Sequence, residues 1–397
     1  MPHRRKPNYT KLAVIALPIV VFGISFFVSQ GWEGKPLEYV AALPVASTTI
    51  SGPLAPPKLS EGEPPIIVTH LPTPEPLKAL YMTSWVAGTP SISSKLIKLA
   101  TTTEINAFVI DIKDYTGRIA WLPEDPVLAE FGAGESRISD IKKFLADLHA
   151  KDIYLIGRIS VFQDQYFVSK RPDLAVKRAS DGEVWRDRKG IAWLDVGQPE
   201  VWEYIVRIAR EAYAVGFDEV NFDYIRFPSD GNMKDIAYKG APDGVIDRAA
   251  ALKKFFEYQE QELGGLPVVR SVDFFGLTTV NPDDLGIGQV LEDALPYFDY
   301  IAPMIYPSHY AKGFIGFANP AEHPYEVIKY SMDKASTRIL AASSTPSQLR
   351  PWLQDFDLGA DYTAELIKAQ KKAVYDAGLT SWMMWDPSNH YTAGGLD

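Results

Sequence analysis

At 397 residues the chain is longer than one average domain, yet a barrel of alternating strands and helices takes about 250 residues or more as a single unit, so one large domain with appendages fits. Hydrophobic residues make up 46% and aromatic residues 12%, enough for a full core and more aromatic surface than packing alone requires. A net charge of -10 argues against a nucleic-acid partner, and the absence of cysteine removes disulfides, thiol catalysis and thiolate metal sites together.

The one concentrated basic run, His3-Arg4-Arg5-Lys6 with Lys11, precedes an apolar stretch over 12–28 that is interrupted by Pro18, Gly23 and Ser25. About 17 residues is the short end of a membrane-spanning helix, and a basic flank stays cytoplasmic. The expectation is a cytoplasmic tail over 1–11, a transmembrane signal anchor over 12–29, and all that follows on the extracytoplasmic side. A cleaved signal peptide and a secreted protein is the alternative, disfavoured because Val28-Ser29-Gln30 is a poor small-x-small cleavage site. Residues 30–76 are rich in Pro, Ala, Ser and Thr without sustained periodicity, the composition of a disordered linker. At about 3 Å per residue in the polyproline form it would reach on the order of 100 Å from the membrane.

From 77 onward short apolar runs alternate with amphipathic segments. Strands are predicted over 79–85, 107–112, 154–159, 219–222, 268–274, 300–303, 338–341 and 381–385. Helices are predicted over 93–102, 139–151, 199–215, 248–263, 288–295, 324–334 and 363–377. A doubly wound open sheet would give the same local alternation, but the count of eight favours a closed (β/α)₈ TIM barrel over 77–397. Residues 163–198 and 229–247 exceed ordinary loop length and would wall a cleft at the C-terminal face.

The C-terminal strand ends are where such a barrel carries chemistry. Asp223 follows Val220-Asn221-Phe222 directly, where burying a charge needs a reason, and Tyr224, Arg226 and Pro228 hold the loop after it. A structural ion pair of Asp223, with Arg226 or a similar cation, is the competing reading. Asp273 ends the fifth predicted strand and is the candidate second carboxylate, with Asp111 and Asp114 as rivals. Candidate substrate-binding residues are Trp85, Asp111, Lys113, Arg158, Arg226, Tyr306, His309, Trp385, Asp386 and Asn389. Asp218 begins its strand at the opposite face and reads as structural. The six histidines are scattered without a His-x-x-x-His pair, and neither a glycine-rich phosphate loop nor a Gly-x-Ser-x-Gly elbow is present, so no metal or cofactor is expected.

These motifs carry a resemblance. Lys78-Ala79-Leu80-Tyr81-Met82-Thr83, Val109-Ile110-Asp111-Ile112-Lys113-Asp114, Asn221-Phe222-Asp223-Tyr224-Ile225-Arg226-Phe227-Pro228, Val272-Asp273-Phe274-Phe275-Gly276, Pro303-Met304-Ile305-Tyr306-Pro307-Ser308-His309-Tyr310 and Trp385-Asp386-Pro387-Ser388-Asn389 resemble the bacterial "putative glycoside hydrolase domain" family. The resemblance implies an α/β barrel with a carboxylate at the end of strand four, matching Asp223, and a second after strand five, matching Asp273. Chitinase-like relatives place a glutamate acid in the strand-four motif; its absence here speaks against a substrate-assisted mechanism.

The leading expectation is thus a glycosidase cleaving O-glycosidic bonds in a cell-envelope or extracellular polysaccharide, with Asp223 as nucleophile and Asp273 as acid/base. Expected partners are a polysaccharide or oligosaccharide substrate and the membrane, with no nucleic acid and no obligate protein partner. The rival is a non-catalytic carbohydrate-binding barrel attached to the cell surface.

Overall fold

The computed structural model describes residues 66–241 and 243–397. Eight parallel strands close on themselves in sequence order: β1 Lys78–Met82, β2 Ala107–Lys113, β3 Tyr154–Ser160, β4 Glu219–Asp223, β5 Val269–Phe275, β6 Tyr300–Met304, β7 Trp352–Gln354 and β8 Trp382–Trp385. β1 pairs with β8 as well as with β2, which makes the (β/α)₈ barrel.

Alternation along each strand sorts side chains into two cores. Leu80, Met82, Phe108, Ile110, Leu155, Val220, Phe222, Val272 and Phe274 belong to the large cluster between strands and helices. Ala79, Tyr81, Ala107, Val109, Tyr154, Ile156, Trp352 and Met383 belong to a second cluster, which fills the barrel axis. On β4 the alternate set is Glu219, Asn221 and Asp223, so the same pleat that buries Phe222 outward puts three polar groups inside. The lowest of these is neutralised there: Arg350 donates to Glu219 at 2.7 Å, both fully buried.

The predicted seventh strand over 338–341 is a correction. Arg338, Ile339, Leu340 and Ala341 form the last turn of the helix Pro324–Ala341, in which Ser331, Ala335 and Ile339 are buried at the four-residue spacing of one helical face. Arg338 is held in that turn by Glu292 at 2.7 Å. The real β7 is three residues long, follows Pro351 and meets β6 in one register pair, Met304 with Trp352. Three residues carry no periodicity to read.

The first strand is also shorter than predicted. Thr83 leaves the sheet and caps the helix Ser84–Ala87, its hydroxyl accepting from Val86 N at 3.1 Å. At the other end of the barrel the chain before β1 is bound to the domain. Leu71 N donates to Asp218 at 2.7 Å, and Asp218 also accepts from Leu155 N at 2.8 Å and His149 at 3.0 Å, a structural role at the N-terminal face. His70 stacks on Tyr213 at 4.0 Å. The expected linker therefore stops short of residue 76. Among the described residues no helix is long and apolar enough to cross a membrane; the predicted span over 12–29 lies outside them.

Candidate active site

A cavity of about 410 Å³ opens at the C-terminal end of the barrel axis. Arg158, Asp223, Tyr224, Arg226, Asp273, Phe275, Gly276, Leu277, Met304, Tyr306 and Trp385 are among its lining residues. It joins the two predicted carboxylates to five of the ten predicted binding residues: Arg158, Arg226, Tyr306, His309 and Trp385.

Arg158, pointing inward from β3, is the hub. It donates to Asp223 Oδ2 from Nε at 3.0 Å and again from Nη2, and its Nη1 donates to Asp111 at 2.6 Å. Its Nε lies 4.0 Å from Asp273 Oδ2. Burial works against the Arg158 charge, but Asp223 and Asp111 outweigh it and hold the guanidinium well above its ordinary value. Asp223 is thus in a buried ion pair, as the competing reading expected, but with Arg158 and not with Arg226.

The two carboxylates differ in surroundings. Asp223 has both oxygens engaged, Oδ2 by Arg158 and Oδ1 by Tyr224 N at 2.5 Å. That last bond comes with Tyr224 at φ 49°, a conformation rare for an aromatic residue, of the kind that clusters at active sites. Among the described residues Asp273 accepts hydrogen bonds at Oδ1 alone, from Asn221 Nδ2 at 2.9 Å and Trp352 Nε1 at 2.8 Å. Burial, then the neighbouring Asp223 charge, push the Asp273 carboxyl well above the usual carboxylate range, against the pull of Arg158 and the two donors. With Oδ1 occupied by two donors, a proton on Asp273 sits on Oδ2. Because Arg158 Nε is 3.0 Å from one Oδ2 and 4.0 Å from the other, the two acids are within about 7 Å.

The walls are aromatic. Trp385 stacks on Tyr81 at 3.9 Å and meets Trp352 edge-on at 5.7 Å. Tyr306 packs edge-on against His309 and Phe356, and its hydroxyl makes no hydrogen bond to the described residues. Burial first, then Asp273 and Asp223, push that phenol well up. Burial lowers the His309 imidazole, which leaves it a neutral hydrogen-bonding group beside Ser308 at 3.0 Å. A side chain at Gly276 would meet Met304 O at 2.5 Å and the Tyr310 hydroxyl at 2.6 Å, so only glycine lets the turn after β5 pass this wall.

The other five predicted binding residues lie elsewhere. Trp85, in the helix after β1, is 57% exposed with the Arg137 guanidinium over its ring at 4.7 Å. Asp111 faces the axis behind Arg158, accepting from Tyr81 Oη at 2.6 Å, with its carboxyl raised by burial against the pull of Arg158. A bulge in β2 aligns Asp111 with Arg158 but Lys113 with the outward Ile159, so Lys113 turns out of the barrel and pairs with Asp164 at 2.8 Å, fully buried. Asp386 accepts from Ser388 N at 2.6 Å and shapes its own turn. Asn389 accepts from Thr83 N at 3.0 Å and ties the last loop to the first. Asp114, the other rival carboxylate, pairs with Arg137 at 2.7 Å.

The long loops act at one remove. Bridges Ala175–Leu194 and Lys177–Val184 fold 163–198 on itself, Lys177–Ala237 joins it to 229–247, and Trp193 backs Arg226 at 4.8 Å. The cavity lining comes from β3 to β8 and the turns directly after them, and none of its residues belongs to 163–198 or 229–247. Reading strand ends alone missed Tyr81 and Asn221, whose signal was the period-two alternation that also places Asp223 and Asp273, and Trp352, whose three-residue strand carries no such signal. Among the described residues no group of three or more His, Asp and Glu is placed to hold a metal ion.

No curated protein matches the chain. Among solved structures, a hypothetical protein from Ruminiclostridium thermocellum is 36% identical over 52% of this chain and 98% of its own, at a TM-score of 0.44. The glycoside hydrolase domain of PgaB (BpsB) from Bordetella bronchiseptica covers 81% of this chain and 98% of its own at 13% identity and a TM-score of 0.59, a likeness of fold. An α-galactosidase from Thermus thermophilus in complex with stachyose covers 81% and 63% at 14% identity and a TM-score of 0.47. The strand ends that build the cavity all fall within residues 79–391, which match the family described as "Putative glycosyl hydrolase domain", and the chain belongs to that family.

Proposed function

We propose that the protein is a retaining glycosidase that cleaves O-glycosidic bonds in a cell-envelope or extracellular polysaccharide. The observation that carries this reading is the pair of unlike acids on one cavity: Asp223, hydrogen-bonded to Arg158, and Asp273, whose carboxyl is raised and whose Oδ2 accepts no hydrogen bond from the described residues. Retaining enzymes hold their carboxyl groups about 5–5.5 Å apart and inverting enzymes about 6.5–9.5 Å apart. An upper bound near 7 Å leaves little of the second range.

In the first step Asp273 gives its Oδ2 proton to the glycosidic oxygen while Asp223 attacks the anomeric carbon, so the C–O bond to the leaving sugar breaks as the glycosyl ester forms. In the second, the Asp273 carboxylate takes a proton from water. That water attacks the anomeric carbon, releases the Asp223 carboxylate and restores the acid. Arg158 stays paired with Asp223 through both steps, and Tyr306 and Trp385 offer a hydroxyl and an aromatic wall to the sugar.

The apolar stretch over 12–28 supports membrane anchoring with the barrel outside, and hence a surface polysaccharide as substrate. A carbohydrate-binding barrel without turnover is the rival, but it has no need of a raised acid beside a second carboxylate. The test is incubation of the protein and its Asp223→Asn variant with envelope and extracellular polysaccharides, read by mass spectrometry. Oligosaccharides released by the wild type alone support the glycosidase. Binding without products from either protein supports the rival.

A further inference from the structure

Arg226 is a buried cation without an ion-pair partner among the described residues. It lines the cavity and is only 8% exposed, yet no carboxylate oxygen of the described residues lies within 4.0 Å. Its guanidinium packs against three aromatic rings, Phe275 at 4.6 Å, Trp193 at 4.8 Å and Tyr224 at 5.2 Å. One nitrogen, Nη1, donates to two neutral acceptors, Phe227 O at 3.0 Å and Ser229 Oγ at 3.2 Å. Asp223, Asp230 and Asp187 act on it only through space, and burial holds its charge below the ordinary arginine value.

The remaining donors, Nε and Nη2, form the side edge of the guanidinium. Neither makes a hydrogen bond to the described residues, and neither is among the sealed, unpartnered polar atoms of the interior. Removing such a cation from water without an anion is costly, and the cost falls when a ligand supplies the anion. Two parallel N–H groups match the two oxygens of a planar carboxylate. A chain with a net charge of -10 is poorly suited to a densely charged polyanion, which favours a single acidic group on a sugar.

We propose that Arg226 makes this cavity specific for a glycan unit that bears a carboxylate, such as a uronic acid, held by Nε and Nη2 beside Asp223. The proposal rests on the glycan reading of the cavity and deepens it. It separates Arg226 from Arg158: Arg158 is spent on protein carboxylates, and Arg226 is left for the substrate.

The test is isothermal titration of the full-length protein with D-glucuronate, D-galacturonate, D-glucose and glucose 6-phosphate, repeated on Arg226→Gln and Arg226→Lys after circular dichroism has established their fold. A charge-assisted bidentate contact predicts that the wild type prefers a uronate to glucose by about tenfold to a hundredfold. Arg226→Gln should lose that preference, and Arg226→Lys, which keeps the charge but not the fork, should retain part of it. Equal binding of uronates and glucose would overturn the proposal and leave the glycan reading standing. Preference for the phosphate over both uronates would overturn the carboxylate assignment, and no binding of any sugar would overturn both readings. The comparison of acid with neutral sugar on the wild type decides the matter even where a variant fails to fold.

Discussion

Replacing Asp273 by Asn should abolish turnover and stabilise the fold at neutral pH. An amide reproduces the protonated acid: Oδ1 still accepts from Asn221 and Trp352, and an N–H takes the place of the Oδ2 proton. In the wild type the folded protein holds that proton above the pH at which the unfolded chain, near pKa 3.9, releases it. The sign follows: a raised carboxyl contributes stability that is fully present below about pH 4 and lost as pH rises through the folded value. Over that window one proton corresponds to a loss of about 1.4 kcal/mol per pH unit, which Asp273→Asn does not suffer. Asp111 and Asp355 are raised by burial as well, Asp355 to about 7, but both are present in both proteins and cancel in the difference. Urea unfolding of both proteins between pH 4 and 8 measures it. The stability advantage of Asp273→Asn should be small near pH 4 and grow with pH. A difference independent of pH, or a variant less stable at pH 7, would refute the assignment of Asp273 as the proton-holding acid.

Three further outcomes follow from the same geometry. Arg158→Met leaves Asp111, Asp223 and Asp273 without their shared cation, and should cost about 3–5 kcal/mol in urea unfolding at pH 7, with partial recovery as pH falls and the carboxylates protonate. Tyr306→Phe removes a hydroxyl that makes no hydrogen bond to the described residues, so the melting temperature should hold while substrate affinity drops by roughly two- to tenfold in titration calorimetry. Lys113→Met strands the buried Asp164 and should destabilise by about 3–5 kcal/mol, leaving KM of the residual folded enzyme unchanged; a selective rise in KM would return Lys113 to the cavity.

Much of this was legible in the sequence because strand pleating is local. The alternation of Glu219, Asn221 and Asp223 with Val220 and Phe222 is enough to send Asp223 inward, and the same reading on β5 places Asp273. What the sequence hid was mostly non-local. The one-residue bulge that turns Lys113 away from Asp111 depends on the facing register of β3. The helix that carries Trp85 out of the cavity starts at a Thr83 cap that looks like a continuing strand. β7 is too short for any period, whereas the amphipathic Arg338 turn imitates a strand until Glu292 is seen beside it. The choice of Arg158 rather than Arg226 as the partner of Asp223 crosses 65 residues and leaves no mark within the strand-four motif.

The most direct test of the assignment of Asp223 as nucleophile and Asp273 as acid is the anomeric configuration of the first product, followed by proton NMR during digestion of a cleaved polysaccharide before mutarotation intervenes. Two carboxylates within about 7 Å predict that the new reducing end keeps the configuration of the bond that was cut. An inverted product would contradict it and make Asp223 a base acting through water.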